Sequence, residues 1–181
     1  MTLTLGRWLF QNRGWTPLPI VSAQLWFGEP QNLWLGVALL CMGEAQRLWA
    51  VGYIGGRSRT RSGNVGALEL GGPFGILRNP LYLGNGTIAL AIGAWGGPVW
   101  FLAWTVFVVA QYSLIVRWEE AVLTETLGVE YQDYLVQVPR WLPIGKRPVS
   151  THSKWGAKSA FRSERATLIS LAVVSLLVWT L

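Results

Sequence analysis

Three small groups of residues in this chain have types and spacings that could do chemistry. The first is Arg117-Trp118-Glu119-Glu120, which follows eighteen residues, 99–116, without a formal charge. A carboxylate pair in that position is either a solvated helix end or a site at a membrane surface that grips a charged cofactor. Adjacent residues on a helix point about 100° apart, so only one of the two carboxylates is expected to face a given pocket. The second group is GGPFGILRNPLYLGNG, residues 71–86. Glycines allow close backbone approach to a ligand. Pro80 fits the first turn of a following helix, Asn79 can cap it, and an anion would be favoured at that helix start beside Arg78. The third is Glu44 and Arg47, three apart on one helical face of an otherwise apolar run. Ionisable groups in membrane helices cost a few kcal/mol each, so this pair either holds helices together or touches a ligand.

The elements that must position these groups read as helices. A bilayer core needs about 20 apolar residues of helix, and residues 98–117 supply them most clearly. Residues 32–54 are long enough and contain Glu44 and Arg47. Residues 80–95 are shorter and turn through Gly96-Gly97-Pro98 into the next helix. Residues 16–28 begin with two prolines and form either a first crossing or a segment that does not fully cross. Residues 166–181 are a last apolar run. Beyond Glu120, Leu123, Leu127, Tyr131, Tyr134 and Val138 recur at helical spacing. They predict a short amphipathic helix that lies on the membrane surface and covers a site at the ends of the helices. The expected architecture is all-α: a single integral-membrane domain over 1–181, a multi-pass bundle of about five transmembrane helices. Within it, 144–165 reads as a cytosolic linker with little structure of its own, before a C-terminal transmembrane helix at 166–181.

Composition and charge agree with a bilayer. Half the residues are hydrophobic, only 13% are charged and there are twelve Trp, against about 25% charge in soluble domains. Abundant Trp suits the membrane–water interface. With five crossings, fourteen of the fifteen Lys and Arg fall on one face and Arg47 lies inside a helix. The opposite face carries Glu29 alone. This is the positive-inside pattern of a cytoplasmic N-terminus. The net charge of +6 is explained by anionic headgroups, and no basic helix with interleaved aromatics points to nucleic acid. One cysteine, Cys41, excludes an internal disulfide and a cysteine-based metal site. The only histidine, His152, has no second ligand nearby, and no metal site is expected. The N-terminal segment is interrupted by Arg7 and Arg13 and does not read as a signal peptide.

Taken together, the motifs are more specific than any one alone. R-N-P-x-Y-x-G, a Gly-Pro hairpin, and then E-E-x-x-L-x-x-x-L-G-x-x-Y-x-x-Y-x-x-x-V-P-R-x-x-P resemble the integral-membrane methyltransferases. These are the isoprenylcysteine carboxyl methyltransferase and phospholipid N-methyltransferase group, and the flanks look most like bacterial members. The resemblance covers residues 43–143. It implies an S-adenosylmethionine site at the cytosolic face of a bacterial inner membrane. By position, Leu68, Phe74, Arg78, Asn79, Pro80, Leu81, Tyr82, Gly84, Gly86, Glu119 and Glu120 would bind the cofactor, with Glu119 and Arg78 as the candidate catalytic residues. Arg47, Arg117 and Arg140 are candidates for contacting the substrate. The implied reaction is direct, metal-free displacement of a methyl group onto a lipophilic or lipid-like acceptor. Asn79 stands where many relatives have His, and an amide cannot serve as a general base.

Two other readings fit the same frame. Sterol-reductase-like membrane proteins share a similar helical core and use a nicotinamide cofactor, whose phosphates Arg57, Arg59 and Arg61 could meet. A non-catalytic membrane protein that binds lipid would use the motif residues only to hold its fold. Oligomeric state is open on all three.

Overall fold

The protein was examined as a computed structural model, which describes residues 2–55, 68–143 and 154–165, with 167 and 169. Every regular element among these residues is helical, and no strand occurs. In chain order the helices are α1 (Thr2–Asn12), α2 (Leu18–Phe27), α3 (Leu33–Ile54), α4 (Pro80–Trp95), α5 (Pro98–Leu127) and α6 (Val129–Gln137), with a 3-10 turn at Gly72–Gly75 before α4. A further helix, α7, covers 157–165.

The central unit is α3, α4 and α5, and it forms because small residues let the backbones approach. A Cβ on Gly43 would meet Ile88 and the Gly84 carbonyl at 2.8 and 2.9 Å. A Cβ on Gly84 would meet Arg47 at 2.8 Å and the Gly43 carbonyl at 3.0 Å. At the far end of the same contact, Gly36 packs on the Trp95 ring, whose Nε1 donates to the Leu33 carbonyl. Small-residue contacts of this kind are how helices associate closely without a hydrophobic driving force. The hairpin from α4 to α5 turns at Gly97, whose φ of 88° is left-handed and whose Cβ position is filled by Gln31.

Helix α5 is the mast of the molecule. It was expected to span 98–117, with its charged end at Glu119 and Glu120. It instead continues without interruption for 30 residues to Leu127 and breaks at Gly128, at φ 58°. The two carboxylates therefore sit inside a rigid helix, and α6 folds back beyond them. Pro98–Leu127 is the one described helix both long and apolar enough to cross a bilayer.

The segment read as either a first crossing or one that does not fully cross, 16–28, forms a helix of only ten residues, α2. At ~1.5 Å per residue this is about half a hydrocarbon core. Helices α1 and α2 together track the length of α5. Gly6 packs on Leu114 and Trp118, Phe10 stacks near Trp118 at 4.8 Å, Thr16 bonds Gln111 at 2.6 Å, and Gln24 accepts from Trp104 at 2.7 Å. Gln24 also donates to the Ile92 carbonyl, tying α2 to α4. The break between α1 and α2 falls at residues 13–17, level with the middle of this track.

Residues 157–165 are helical where the Pro-, Ser- and Lys-rich composition reads as irregular chain. The segment before them docks on α3: Gly156 N–H donates to the Gly52 carbonyl at 2.9 Å, and the Trp155 ring lies on Gly52 with Nε1 donating to the Leu48 carbonyl. Apart from residues 167 and 169, the expected terminal helix at 166–181 lies outside the described residues. So do Arg57, Arg59 and Arg61.

Candidate functional site

A cavity of about 680 Å³ opens between α1, α3, α4, α5 and α6, within the size range of small-ligand sites. Its two ends differ. Ile88, Ala89 and Ile92 of α4, with Trp104, Phe107 and Val108 of α5, make an apolar end. The segment 78–82, with Glu119, Glu120, Tyr131 and Tyr134, makes a polar end.

The polar end is built around Glu120. Its carboxylate accepts from Arg140 through both oxygens, with Nε at 3.1 Å from Oε1, and Arg78 lies 3.1 Å from Oε1. Two cations on one buried carboxylate leave Glu120 fully committed. Three chain segments meet here: the entry to α4, the C-terminal third of α5 and the chain after α6. The Arg78 N–H donates to the Pro139 carbonyl at 2.9 Å, which locks the first and third together. Helix α6 covers this end through Tyr131, Tyr134 and Val138, packed on Leu68, Leu70, Leu123 and Leu127. Tyr134 donates to the Phe74 carbonyl at 2.8 Å. Burial pushes both phenols well above their ordinary range, so both stay neutral donors. The hydrogen bond to Glu120 raises Arg140.

Glu119 points elsewhere in the same cavity. It is within hydrogen-bonding reach of Tyr82, whose ring lies 5.1 Å from that of Tyr112. Tyr112 in turn reaches Asn85, and Asn85 accepts from Arg47. The expectation that one carboxylate alone would face the pocket is therefore corrected. The cavity wraps far enough around α5 for side chains about 100° apart both to line it.

Nine of the expected cofactor residues line the cavity: Leu68, Phe74, Arg78, Asn79, Pro80, Leu81, Tyr82, Glu119 and Glu120. Gly84 and Gly86 do not. Gly84 faces α3, and a Cβ on Gly86 would meet Val108 of α5 at 3.0 Å, so both serve helix packing. Asn79 occupies the N-cap position of α4 but makes no capping bond, because its amide turns to the Arg140 carbonyl at 3.4 Å.

The three arginines expected at the substrate separate. Arg47 lines the cavity, yet its guanidinium is held by Asn85 and Glu164, with Glu44 at 3.6 Å. Arg140 stands behind Glu120, outside the lining. Arg117 is exposed on the outside of α5. Sequence reasoning missed Arg13, Asn85, Tyr112 and Glu164. For two of them a signal was present: Gln111, Tyr112 and Ser113 interrupt the most apolar helix with polar groups, and Arg13-Gly14 interrupts the N-terminal apolar run. Among the described residues, no group of three or more His, Cys, Asp or Glu is placed to hold a metal ion.

Comparison with known proteins places this geometry in context. The chain is 29% identical over 120 residues to a nickel-cobalt-cadmium resistance protein, NccN, of Alcaligenes xylosoxydans xylosoxydans. That match covers 62% of this chain and 53% of the relative, so the chain spans about half the length of the curated relative it matches. No solved structure matches. Residues 31–130, which run from just before α3 into the start of α6 and hold Arg78–Tyr82, Glu119 and Glu120 of the polar end, match the phospholipid methyltransferase family. That span is more than half of the chain, and the protein belongs to the phospholipid methyltransferase family.

Proposed function

We propose that this protein is an S-adenosylmethionine-dependent methyltransferase, set in a membrane through several crossings, that methylates a lipophilic acceptor. The observation that carries the reading is the two-ended cavity. A cluster of fixed charges and neutral phenols stands at one end and an apolar channel at the other, suited to a polar cofactor beside a greasy acceptor.

Residues at the polar end fit such a cofactor. The Nε of Arg78 is buried without a partner, and a buried orphaned donor is costly unless a ligand meets it. Arg78 would hold the cofactor's carboxylate, while Glu119 and Tyr82 would hold its ammonium or ribose hydroxyls through charge-assisted hydrogen bonds. When bound, S-adenosylmethionine supplies an electrophilic methyl group. The chain's own contribution is to hold donor and acceptor in line and to keep water out under α6. Asn79 has no titratable group and takes no part as a base. Glu120, committed to Arg78 and Arg140, positions Arg78.

A membrane setting accounts for the outer surface. Val99, Leu102, Val106 and Val109 form an exposed apolar stripe along α5, 60–78% accessible, and exposed apolar stripes mark interaction or membrane-facing surfaces. Trp26, Phe27 and Trp34 are exposed at one end of the bundle and Trp8 toward the other, as interfacial aromatics are. The end that holds Arg7, Arg78, Arg117 and Arg140 is the basic one, and it would face the cytoplasm of a bacterial inner membrane.

The test is calorimetric binding of S-adenosylmethionine and its demethylated product to detergent-purified protein, with Glu119→Gln alongside. Low-micromolar binding that is lost in the variant is the expected result. A folded wild-type protein that binds neither compound would sink the reading, and reduced nicotinamide nucleotide would be the next titrant.

A further inference from the structure

Three arginines line the cavity: Arg13, Arg47 and Arg78. Internal carboxylates neutralise two of them, Arg47 through Glu44 and Glu164 and Arg78 through Glu120. Arg13 has no carboxylate within ion-pair distance among the described residues, although it interacts electrostatically with Glu119 in the same cavity. Its guanidinium lies 4.3 Å from the centre of the Phe10 ring, and one nitrogen donates to the Phe10 carbonyl at 2.7 Å. No other hydrogen bond is recorded for it among the described residues, so most of its five donors are left to the cavity.

The backbone that presents Arg13 is equally unusual. It is the break between α1 and α2, where Arg13, Gly14 and Pro17 all line the cavity. In a membrane, non-helical backbone at depth is tolerated only where it lines a cavity or is buried in protein, and a charged side chain there is functional by default. The break is level with Gln111 of α5, which accepts from Thr16, between the polar and apolar ends. It also lies outside the matched residues 31–130.

We propose that Arg13 is the specificity-determining residue of the acceptor site, binding the anionic end of an amphiphile whose chain extends along Ile92, Trp104 and Val108. This rests on the methyltransferase reading for the word acceptor, though not for the site itself. An uncommitted guanidinium at the junction of the two ends suits a phosphate or carboxylate attached to an apolar chain. It is mismatched to a neutral lipid, which would offer this half-buried charge no anionic group.

The probe is radiolabelled dodecyl phosphate, bound to the full-length detergent-purified protein and competed with dodecanol and with inorganic phosphate. The expected result is saturable binding against which both competitors are at least tenfold weaker than unlabelled dodecyl phosphate. Arg13→Gln is expected to weaken binding about tenfold or more, the scale of a lost charge-assisted hydrogen bond, and Arg13→Lys to keep most of it. Melting temperature, measured on the same preparations, should be unchanged in both variants, which reports that they are folded. Equal competition by dodecanol, equal competition by inorganic phosphate, or wild-type affinity in Arg13→Gln would each overturn the assignment. Dodecyl phosphate binding that depends on Arg13 in a protein without affinity for S-adenosylmethionine would uphold the site and overturn the methyltransferase reading instead.

Discussion

Arg78 and Glu120, 42 positions apart in sequence, meet at 3.1 Å beneath the helix that closes the cavity. Their contact joins the start of α4 to the C-terminal third of α5, and Arg140 completes it from the chain after α6. Breaking a buried ion pair from one side costs about 3–5 kcal/mol, because the remaining charge is stranded. Glu120→Ala strands two guanidinium groups and is expected to lose stability on that scale. Arg140→Ala should cost far less, since Arg140 is 37% exposed and Arg78 still faces Glu120. Thermal melts of both variants in one detergent check the order. Equal losses would mean that the pair is not the lock described here.

The neighbouring carboxylate should behave in the opposite way. Glu119 is engaged by Tyr82 and holds no ion pair among the described residues. Tyr82→Phe should lower cofactor affinity about fivefold, the worth of one neutral hydrogen bond of ~1 kcal/mol, with little change in melting temperature. Calorimetry and melting on the same sample separate the two. A Tyr82→Phe protein that melts early but binds normally would assign the tyrosine to packing.

Glycines 84 and 86 test where close packing ends and ligand space begins. Gly84→Ala drives a methyl group into backbone, with the Gly43 carbonyl at 3.0 Å. Overpacking of this kind costs about 1–3 kcal/mol. Gly86→Ala meets only a Val108 methyl at 3.0 Å, which can give, and it should cost less. Melting temperatures should fall in that order while S-adenosylmethionine affinity holds in both. A selective loss of affinity without destabilisation would return these glycines to the cofactor.

Much of this arrangement was legible in the residues. The uncharged run before Arg117, the Gly96-Gly97-Pro98 turn and the spacing of Tyr131, Tyr134 and Val138 marked α5, its hairpin and the covering helix. They did so because hydrophobic period and turn chemistry are local signals. The segment around Arg78 and Asn79 was legible as a lining segment for the same reason. Partners distant in the chain were not. Nothing local says that Glu120 is shared by Arg78 and Arg140, or that Arg47 is taken by Glu164. Gly84 and Gly86 carry the same letters whether they face a ligand or a helix. Arg13 was hidden because two short helices and a break look, by composition, like one poor crossing.

The last prediction concerns the strap formed by residues 154–165. Arg47 bridges Glu164 of α7 to α3 and α4, with Glu44 at 3.6 Å on its other side, and Thr167 just beyond lines the cavity. Removing the cation is the harsher change. Arg47→Leu removes the cation that Glu164 and Glu44 share, a loss of about 3–5 kcal/mol. Glu164→Gln keeps a hydrogen-bonding group of the same shape and leaves Arg47 its contact with Glu44, so it should cost about 1–2 kcal/mol. Loosening of the strap can be read directly, because Lys154, Lys158, Arg162 and Arg165 are trypsin sites within it. Cleavage there should be fastest in Arg47→Leu, intermediate in Glu164→Gln and slowest in the wild type. Identical cleavage in all three would mean that docking of Trp155 and Gly156 on Gly52 holds the strap without help from the ion pair.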